Sequence, residues 1–262
     1  MKAVILSAGQ GRRLLPLTAD TPKCLLDVCG RSVLEWQIDQ LAQCGIERVT
    51  VLVGYGADQV ERLLAKRYPG GSVKTQYNPF YGVADNLGTC WVARNEMQED
   101  FLLLNGDTLF EADVPRKLLD APERPVTVTT DSKSAYDADD MKVRTEGERL
   151  LRVGKDLPLG EVDGESIGMI LFRGEGPHLF RTEVDRVLRR PTALKRWYLS
   201  VIDELAQQRA PVWTCSIQGL DWNEIDCHED LEDARRMVAG WAAVRTQSCG
   251  AATSWRGELD AN

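Results

Sequence analysis

Histidine is almost missing: His178 and His228 are the only two in 262 residues. Each reads as an ordinary polar residue rather than as an imidazole base. The seven cysteines (Cys24, Cys29, Cys44, Cys90, Cys215, Cys227 and Cys249) are odd in number and form no CxxC pair. That spacing excludes a disulfide framework and a clustered zinc site, and isolated thiols pack as small hydrophobes. No apolar run reaches membrane-spanning length, and no charged segment, apolar run and small-residue cleavage site open the chain. A cytoplasmic protein is expected. Positive charge is in deficit, with 32 Lys and Arg against 40 Asp and Glu, a formal net charge of −8. Nucleic acid and anionic membranes are therefore poor partners, although a local basic pocket for a small phosphate ligand is still allowed. Internal repeats and an interdomain linker are also missing. One domain over residues 1–248 is expected, with a flexible polar tail over 249–262; association into an oligomer stays open.

What is present is an alternation of strands and helices. "KAVILSAG" is a short apolar run closed by glycine, as a buried strand requires. "SVLEWQIDQLAQCG" follows as a helix: Ser32 and Glu35 form a capping box, Leu34, Ile38 and Leu41 share a face, and Gly45 ends it. "RVTVLVGY", "ADQVERLLAKRY", "SVKTQYN", "NLGTCWVARNEM" and "DFLLLNGDTLF" continue the alternation. The fold class this predicts is α/β, a Rossmann-like, mostly parallel sheet flanked by helices. β-structure dominates over residues 130–175, where a small antiparallel extension is expected. "LKRWYLSVIDELAQQ" reads as one amphipathic helix carrying Trp197 and Tyr198. Ligands of such sheets lie over the carboxyl ends of the strands, so "SAGQGRR", "VGYGA", "YNPFYGVADN" and "NGDTLFE" are the segments of interest.

The first of these is the most specific. Gly9 and Gly11 allow backbone amides to approach a phosphate, and Arg12, Arg13 and Lys23 add cations beside them. The segment lacks the third glycine of the dinucleotide fingerprint and the Gly-Lys-Ser/Thr of the P-loop. Such a polar stretch is costly to order, and the expectation is a loop ordered by its ligand. "LSAGQGRRLLPLT…PK" resembles the signature of the nucleotidyltransferases that join an NTP to a sugar phosphate or alcohol phosphate. Arg12 stands where those enzymes carry Ser or Thr; Arg13, Pro16, Leu17, Thr18, Pro22 and Lys23 match, and the likeness runs over about residues 1–240.

"YNPFYGVADN", "RVGKDL" and "WNEIDCHEDL" are similar to segments of bacterial CTP:phosphocholine and CTP:2-aminoethylphosphonate cytidylyltransferases. The resemblance implies a cytidylyltransferase that uses CTP, Mg²⁺ and a small phosphorylated or phosphonate acceptor. It implies metal ligands Asp107 and Asp226, assisted by Glu224. Asp107 also ends a buried strand, where a carboxylate is costly unless paired or metal-bound. Arg13 is expected to clamp the leaving pyrophosphate, Lys23 to contact the α-phosphate or the acceptor, and Lys155 to hold the acceptor phosphate. Leu6, Ala8, Gly9, Gly11 and Gly88 are expected to frame the nucleotide, with Asn78 or Asn86 reading the base. Tyr81, Trp197 and Tyr198 are expected at the acceptor, although Leu199 stands where the phosphocholine enzymes place a carboxylate. A sugar-1-phosphate or inositol-1-phosphate nucleotidyltransferase is the alternative, and a non-catalytic nucleotide sensor a second.

Overall fold

The computed structural model describes residues 1–253, with side chains to Trp241. It is built on a nine-stranded sheet. The first half alternates as expected. β1 (Lys2–Ser7) leads into the glycine loop. A short hairpin of β2 (Asp27–Val28) and β3 (Arg31–Ser32) precedes α1 (Val33–Gln43), β4 (Arg48–Val53), α2 (Ala57–Arg67) and β5 (Val73–Tyr77). The capping box at Ser32 forms as the sequence predicts: its hydroxyl accepts from the Glu35 amide, and the Glu35 carboxylate accepts from the Ser32 amide. α3 (Asn86–Val92) is shorter than the sequence suggests, because its last turn tightens into a 3-10 turn over Ala93–Glu96.

"DFLLLNGDTLF" is two strands rather than one. β6 (Phe101–Asn105) stays in the main sheet and β7 (Thr108–Phe110) leaves it at the Gly106–Asp107 turn. α4 (Asp113–Asp120) and β8 (Val126–Asp131) follow. β9 (Lys142–Glu146) and β10 (Arg149–Gly154) form a hairpin about Gly147, whose positive φ of 59° suits glycine. β11 (Gly164–Phe172), α5 (Gly176–Leu188), α6 (Leu199–Gln207), β12 (Val212–Ser216), β13 (Trp222–Glu224) and α7 (His228–Thr253) complete the chain. The tail expected from residue 249 overlaps the end of α7, and residues 254–262 lie outside the described residues.

The sheet order is β5-β4-β1-β6-β11-β8-β12-β10-β9. β5, β4, β1 and β6 are parallel, β11 runs against its neighbours β6 and β8, and β12 is parallel to β8. The antiparallel part is therefore not a separate extension. β11 lies inside the main sheet, and only the β9–β10 hairpin extends it, because the last four residues of β11, Met169 to Phe172, pair with the buried strand β6 while its other edge pairs with β8.

Period-2 alternation sends successive side chains to opposite faces. Val4, Phe101, Leu103, Ile170 and Phe172 face the layer that holds α3, α5 and α6. Ala3, Ile5, Leu102, Leu104, Met169 and Leu171 face the layer of α1, α2 and α4. Both faces are thus covered, as a parallel-rich sheet requires. The strand order reverses at β1, with β4 on one side and β6 on the other. That reversal opens a crevice at the carboxyl ends of these strands.

Two further expectations change. "LKRWYLSVIDELAQQ" is not one helix. A 3-10 turn over Ala193–Lys195 is followed by a break, and α6 begins only at Leu199. The break serves α3, whose first backbone amides need acceptors. Leu194 O accepts from Asp85 N at 2.6 Å, Arg196 O accepts from Leu87 N at 3.3 Å, and Tyr198 N donates to Asn86 Oδ1 at 2.8 Å. The glycine loop also carries its own anchors. Leu14 is fully buried against Val28, Ile225 and Leu231, and Thr18 is buried with its hydroxyl donating to Gly11 O at 2.8 Å. Gln59 donates to Asp20 O at 2.8 Å, and Tyr55 donates to Ala19 O. Only the segment up to Arg13 lacks buried side chains of this kind.

Candidate active site

The crevice holds a cavity of about 610 Å³, within the range of small-molecule sites. Leu6, Ala8, Gly9, Gly11 and Arg13 form one wall, and Tyr81 and Asn86 another. Gly54 permits this approach: a Cβ there would lie 2.6 Å from both Ala8 O and the Tyr81 Cβ. Asn78 and Gly88 do not reach the cavity. Asn78 is fully buried, with its amide donating to Thr89 Oγ1 at 3.0 Å and its carbonyl accepting from Phe80 N at 2.9 Å. It braces the loop, so of the two asparagines only Asn86 is placed to meet a base. Gly88 is needed for packing, since a Cβ there would lie 2.7 Å from that of Ala84.

Asp107, Glu224 and Asp226 converge, with one ligand oxygen from each within 4.8 Å of the others. The small sheet of β7 and β13 brings them together. Thr108 pairs with Glu224, and Ile225 N donates to Asp107 O at 3.1 Å. Gln37, on the buried face of α1, donates to the carbonyls of Asn105 and Thr108 at 2.7 and 2.8 Å, clamping the turn that carries Asp107. A Cβ on Gly106 would lie 2.2 Å from Ser7 Oγ, so only glycine lets the turn lie against β1. Asp230, in the first turn of α7, accepts from the amides of Asp226 and Cys227 at 2.8 and 2.7 Å.

Positive charge surrounds these carboxylates. Lys23 Nζ donates to Asp107 Oδ2 and Asp226 Oδ1, both at 2.7 Å, with 12% of the side chain exposed. Burial pushes the ammonium pKa down, but the two carboxylates override it and raise the pKa above the ordinary lysine value. Arg13 donates to Asp226 Oδ2 at 2.7 Å and to Asp139 Oδ2 at 3.1 Å. Lys155 donates to Asp139 Oδ1 at 3.0 Å, and its ammonium lies 4.5 Å from the centre of the Trp197 ring. One ion chain thus runs Asp107–Lys23–Asp226–Arg13–Asp139–Lys155. The Lys155 hydrogen bond, first, holds the Asp139 carboxyl below its usual range.

The three carboxylates still outnumber the two cations, Lys23 and Arg13, that pair with them. Glu224 opens to the cavity but is otherwise walled by protein; that poor hydration, then Asp107 and Asp226, raises its pKa above the ordinary carboxylate value. Asp107 Oδ1 is buried with no partner. An all-oxygen donor set with an orphaned carboxylate oxygen fits a hard divalent cation.

Two aromatic expectations separate. Trp197 is 40% exposed and lines the cavity beside Lys155. Tyr198 is fully buried in the core, and its unpartnered hydroxyl lies within electrostatic reach of Glu224 and Asp107. Its ring therefore belongs to the floor, not to a surface shared with Trp197. Sequence reasoning also missed Asp139, which sits in an irregular loop with no motif to mark it. Gln37 had a signal, as a polar residue in phase with Leu34, Ile38 and Leu41.

A family model described as the MobA-like NTP transferase domain matches residues 3–216. The chain belongs to this family. The CMP-5'-(3-aminopropyl)phosphonate synthase of Streptomyces rubellomurinus is 35% identical over 123 residues, 47% of this chain and 20% of that protein. The chain therefore spans only about a fifth of that relative's length. The CTP:phosphoglutamine cytidylyltransferase of Campylobacter jejuni is 27% identical over 259 residues, 88% of this chain and 98% of that protein. A solved CTP:phosphocholine cytidylyltransferase from Streptococcus pneumoniae superposes with a TM-score of 0.73 at 20% identity, over 90% of this chain and 98% of that one. That likeness is one of fold. Among the described residues, no helix is long and apolar enough to cross a membrane.

Proposed function

We propose that this chain is a nucleotidyltransferase, and within that class a cytidylyltransferase that moves CMP from CTP to a small phosphate or phosphonate acceptor and releases pyrophosphate. The observation that carries the reading is one cavity in which a glycine loop, the cations of Arg13 and Lys23, and the three carboxylates meet. The similarity to relatives named for CTP supports the choice of nucleotide. Asn86 adds to it: its carbonyl is committed to Tyr198 N, which leaves the amide NH₂ to donate to a cytosine acceptor atom.

An acceptor phosphate oxygen attacks the α-phosphorus, and the bond from that phosphorus to the bridging oxygen of pyrophosphate breaks. A phosphomonoester with a second pKa near ~6 is already an anion at neutral pH, so no general base is needed. The barrier lies in bringing two anions together. Arg13 binds the β- and γ-phosphates and takes up the leaving group's charge. Lys23 orients and neutralises the α-phosphate. Lys155 holds the acceptor phosphate beside Trp197. Asp107, Glu224 and Asp226 would hold Mg²⁺, which would supply Lewis-acid stabilisation of the phosphate charge.

The test is pyrophosphate release from purified protein with Mg²⁺. CTP, UTP, GTP, dTTP and ATP are crossed against phosphocholine, phosphoethanolamine, 2-aminoethylphosphonate, inositol-1-phosphate and glucose-1-phosphate. The expected result is acceptor-dependent release with CTP, lowered roughly 10²–10³-fold in Asp107→Ala. Release only with another nucleotide and a sugar phosphate would overturn the choice of CTP. Nucleotide binding without release in any combination would favour a sensor.

A further inference from the structure

Of the four carboxylate oxygens of Asp107 and Asp226, three accept hydrogen bonds from the chain's own cations: Asp107 Oδ2 and Asp226 Oδ1 from Lys23, and Asp226 Oδ2 from Arg13. The fourth, Asp107 Oδ1, is the buried oxygen without a partner. We propose that Lys23 is an internal stand-in for the divalent cation, so that metal and nucleotide bind cooperatively and Lys23 carries the coupling. This rests on the reading that the three carboxylates hold metal.

An ammonium and a divalent ion set against the same carboxylates draw on the same negative charge and repel one another. Metal arriving alone can start from the unpartnered Asp107 Oδ1, but taking Asp226 as well brings it against the Lys23 ammonium, which must give way. The displaced ammonium is largely buried and would have no counter-charge of comparable strength. A triphosphate supplies that counter-charge. It draws Lys23 and Arg13 away from Asp107 and Asp226, and the freed oxygens become available to the ion.

The glycine loop ties the two events together. Gly11 has a φ of 71°, and a Cβ built on it would lie 2.8 Å from Lys23 Cδ and 2.9 Å from Lys23 Cβ. The lysine stem thus packs directly on the loop that meets the phosphates, and a nucleotide that settles the loop also moves the lysine. Coupling of this kind is reciprocal, and its usual range is roughly 5–150-fold in affinity.

The experiment follows free Mn²⁺ by its electron paramagnetic resonance signal, with and without CTP. Wild-type protein should bind Mn²⁺ weakly alone and markedly tighter with CTP. Lys23→Gln should bind Mn²⁺ alone on the order of 10-fold tighter than wild type, with a smaller gain on adding CTP. Lys23→Arg, which keeps the charge, should stay close to wild type. Arg13→Gln frees one oxygen of Asp226 while leaving Lys23 in place, and it should give a smaller rise. That variant keeps the test available if Lys23→Gln does not fold. Circular dichroism and melting of each variant establish folding. If neither Lys23→Gln nor Arg13→Gln raises affinity for Mn²⁺ alone, the inference is overturned. Asp107→Asn separates the two readings: if CTP-dependent Mn²⁺ binding survives in it, the metal assignment fails, whereas its loss together with no gain in the lysine and arginine variants sinks only the stand-in role.

Discussion

Glu165 lies at the start of β11, 5% exposed, with Lys133 Nζ 3.0 Å from its carboxylate. Lys133 also holds Asp140 at 2.8 Å, so the three residues fix the base of the loop that carries Asp139 into the cavity. Burial, partly offset by Lys133 and reinforced by Asp140, pushes Glu165 up to about 7 from an ordinary 4.5. The folded state therefore holds this proton more tightly than the unfolded chain does. The stabilisation it brings is complete below the unfolded value and is lost as pH rises through about 7. Glu204 has the opposite sign. Held at about 2 by burial offset by Arg190, Arg196 and Arg186, it loses its contribution only as pH falls toward that value. Glu165→Gln removes the proton exchange and keeps the side chain's size. From about pH 5 to about pH 8, wild type should lose roughly 2–4 °C more of Tm than the variant. Parallel melting curves across that range would show that Glu165 does not titrate there. At this scale the motif residues were legible, because Arg13, Lys23, Asp107 and Asp226 each sit at a fixed offset from a glycine, proline or strand end. Asp139 was not, because its role follows from a long-range contact with Arg13, and for Gln37 only its place on the buried face was, because its bonds to the turn after β6 are long-range.

At the scale of elements, α1 is a positioning device for Asp107. Its start is legible from Ser32 and Glu35, and its buried face from Leu34, Ile38 and Leu41. What that face does could not be read locally, since the two carbonyls that Gln37 binds belong to residues 68 and 71 positions away. Gln37→Leu keeps the side-chain volume and removes both donors. A buried acceptor left unpaired costs about 1–3 kcal/mol, so the variant should melt lower, and the turn bearing Asp107 should loosen. The expected signature is a drop in Tm together with weaker CTP-dependent Mn²⁺ binding. A lowered Tm with unchanged Mn²⁺ affinity would mean that the clamp is structural only. The segment ahead of α6 teaches the converse lesson. Its apolar spacing is helical on both sides of Trp197, yet the helix breaks because the carbonyls of Leu194 and Arg196 satisfy the first amides of α3. Periodicity records which face is buried and is silent on which backbone groups are claimed by another element.

For the whole molecule, the net charge of −8 contrasts with the cavity, where basic side chains match the carboxylates in number. An acidic surface disfavours polyanions, while Arg13, Lys23 and Lys155 converge from distant parts of the chain on a pocket suited to small ones. The parallel half of the sheet and the position of the crevice followed from alternating strands and helices. The merging of β11 into that sheet did not, since an antiparallel partner leaves no different local pattern. The glycine loop is where this organisation makes its sharpest dynamic prediction. Leu14 and Thr18 are buried by the protein itself, whereas residues 9–13 and the loop 132–141 are joined to the rest of the cavity chiefly through Arg13, Asp139 and Lys155. On the proposed function, CTP with Mg²⁺ would replace those exposed ion pairs, each worth little in water, with phosphate contacts. Hydrogen exchange should therefore slow on ligand addition at residues 9–13 and change at 132–141, while residues 14–21 stay nearly constant. Equal slowing across 9–21 would mean that the anchors at Leu14 and Thr18 do not hold without nucleotide, and that the ligand orders the entire loop.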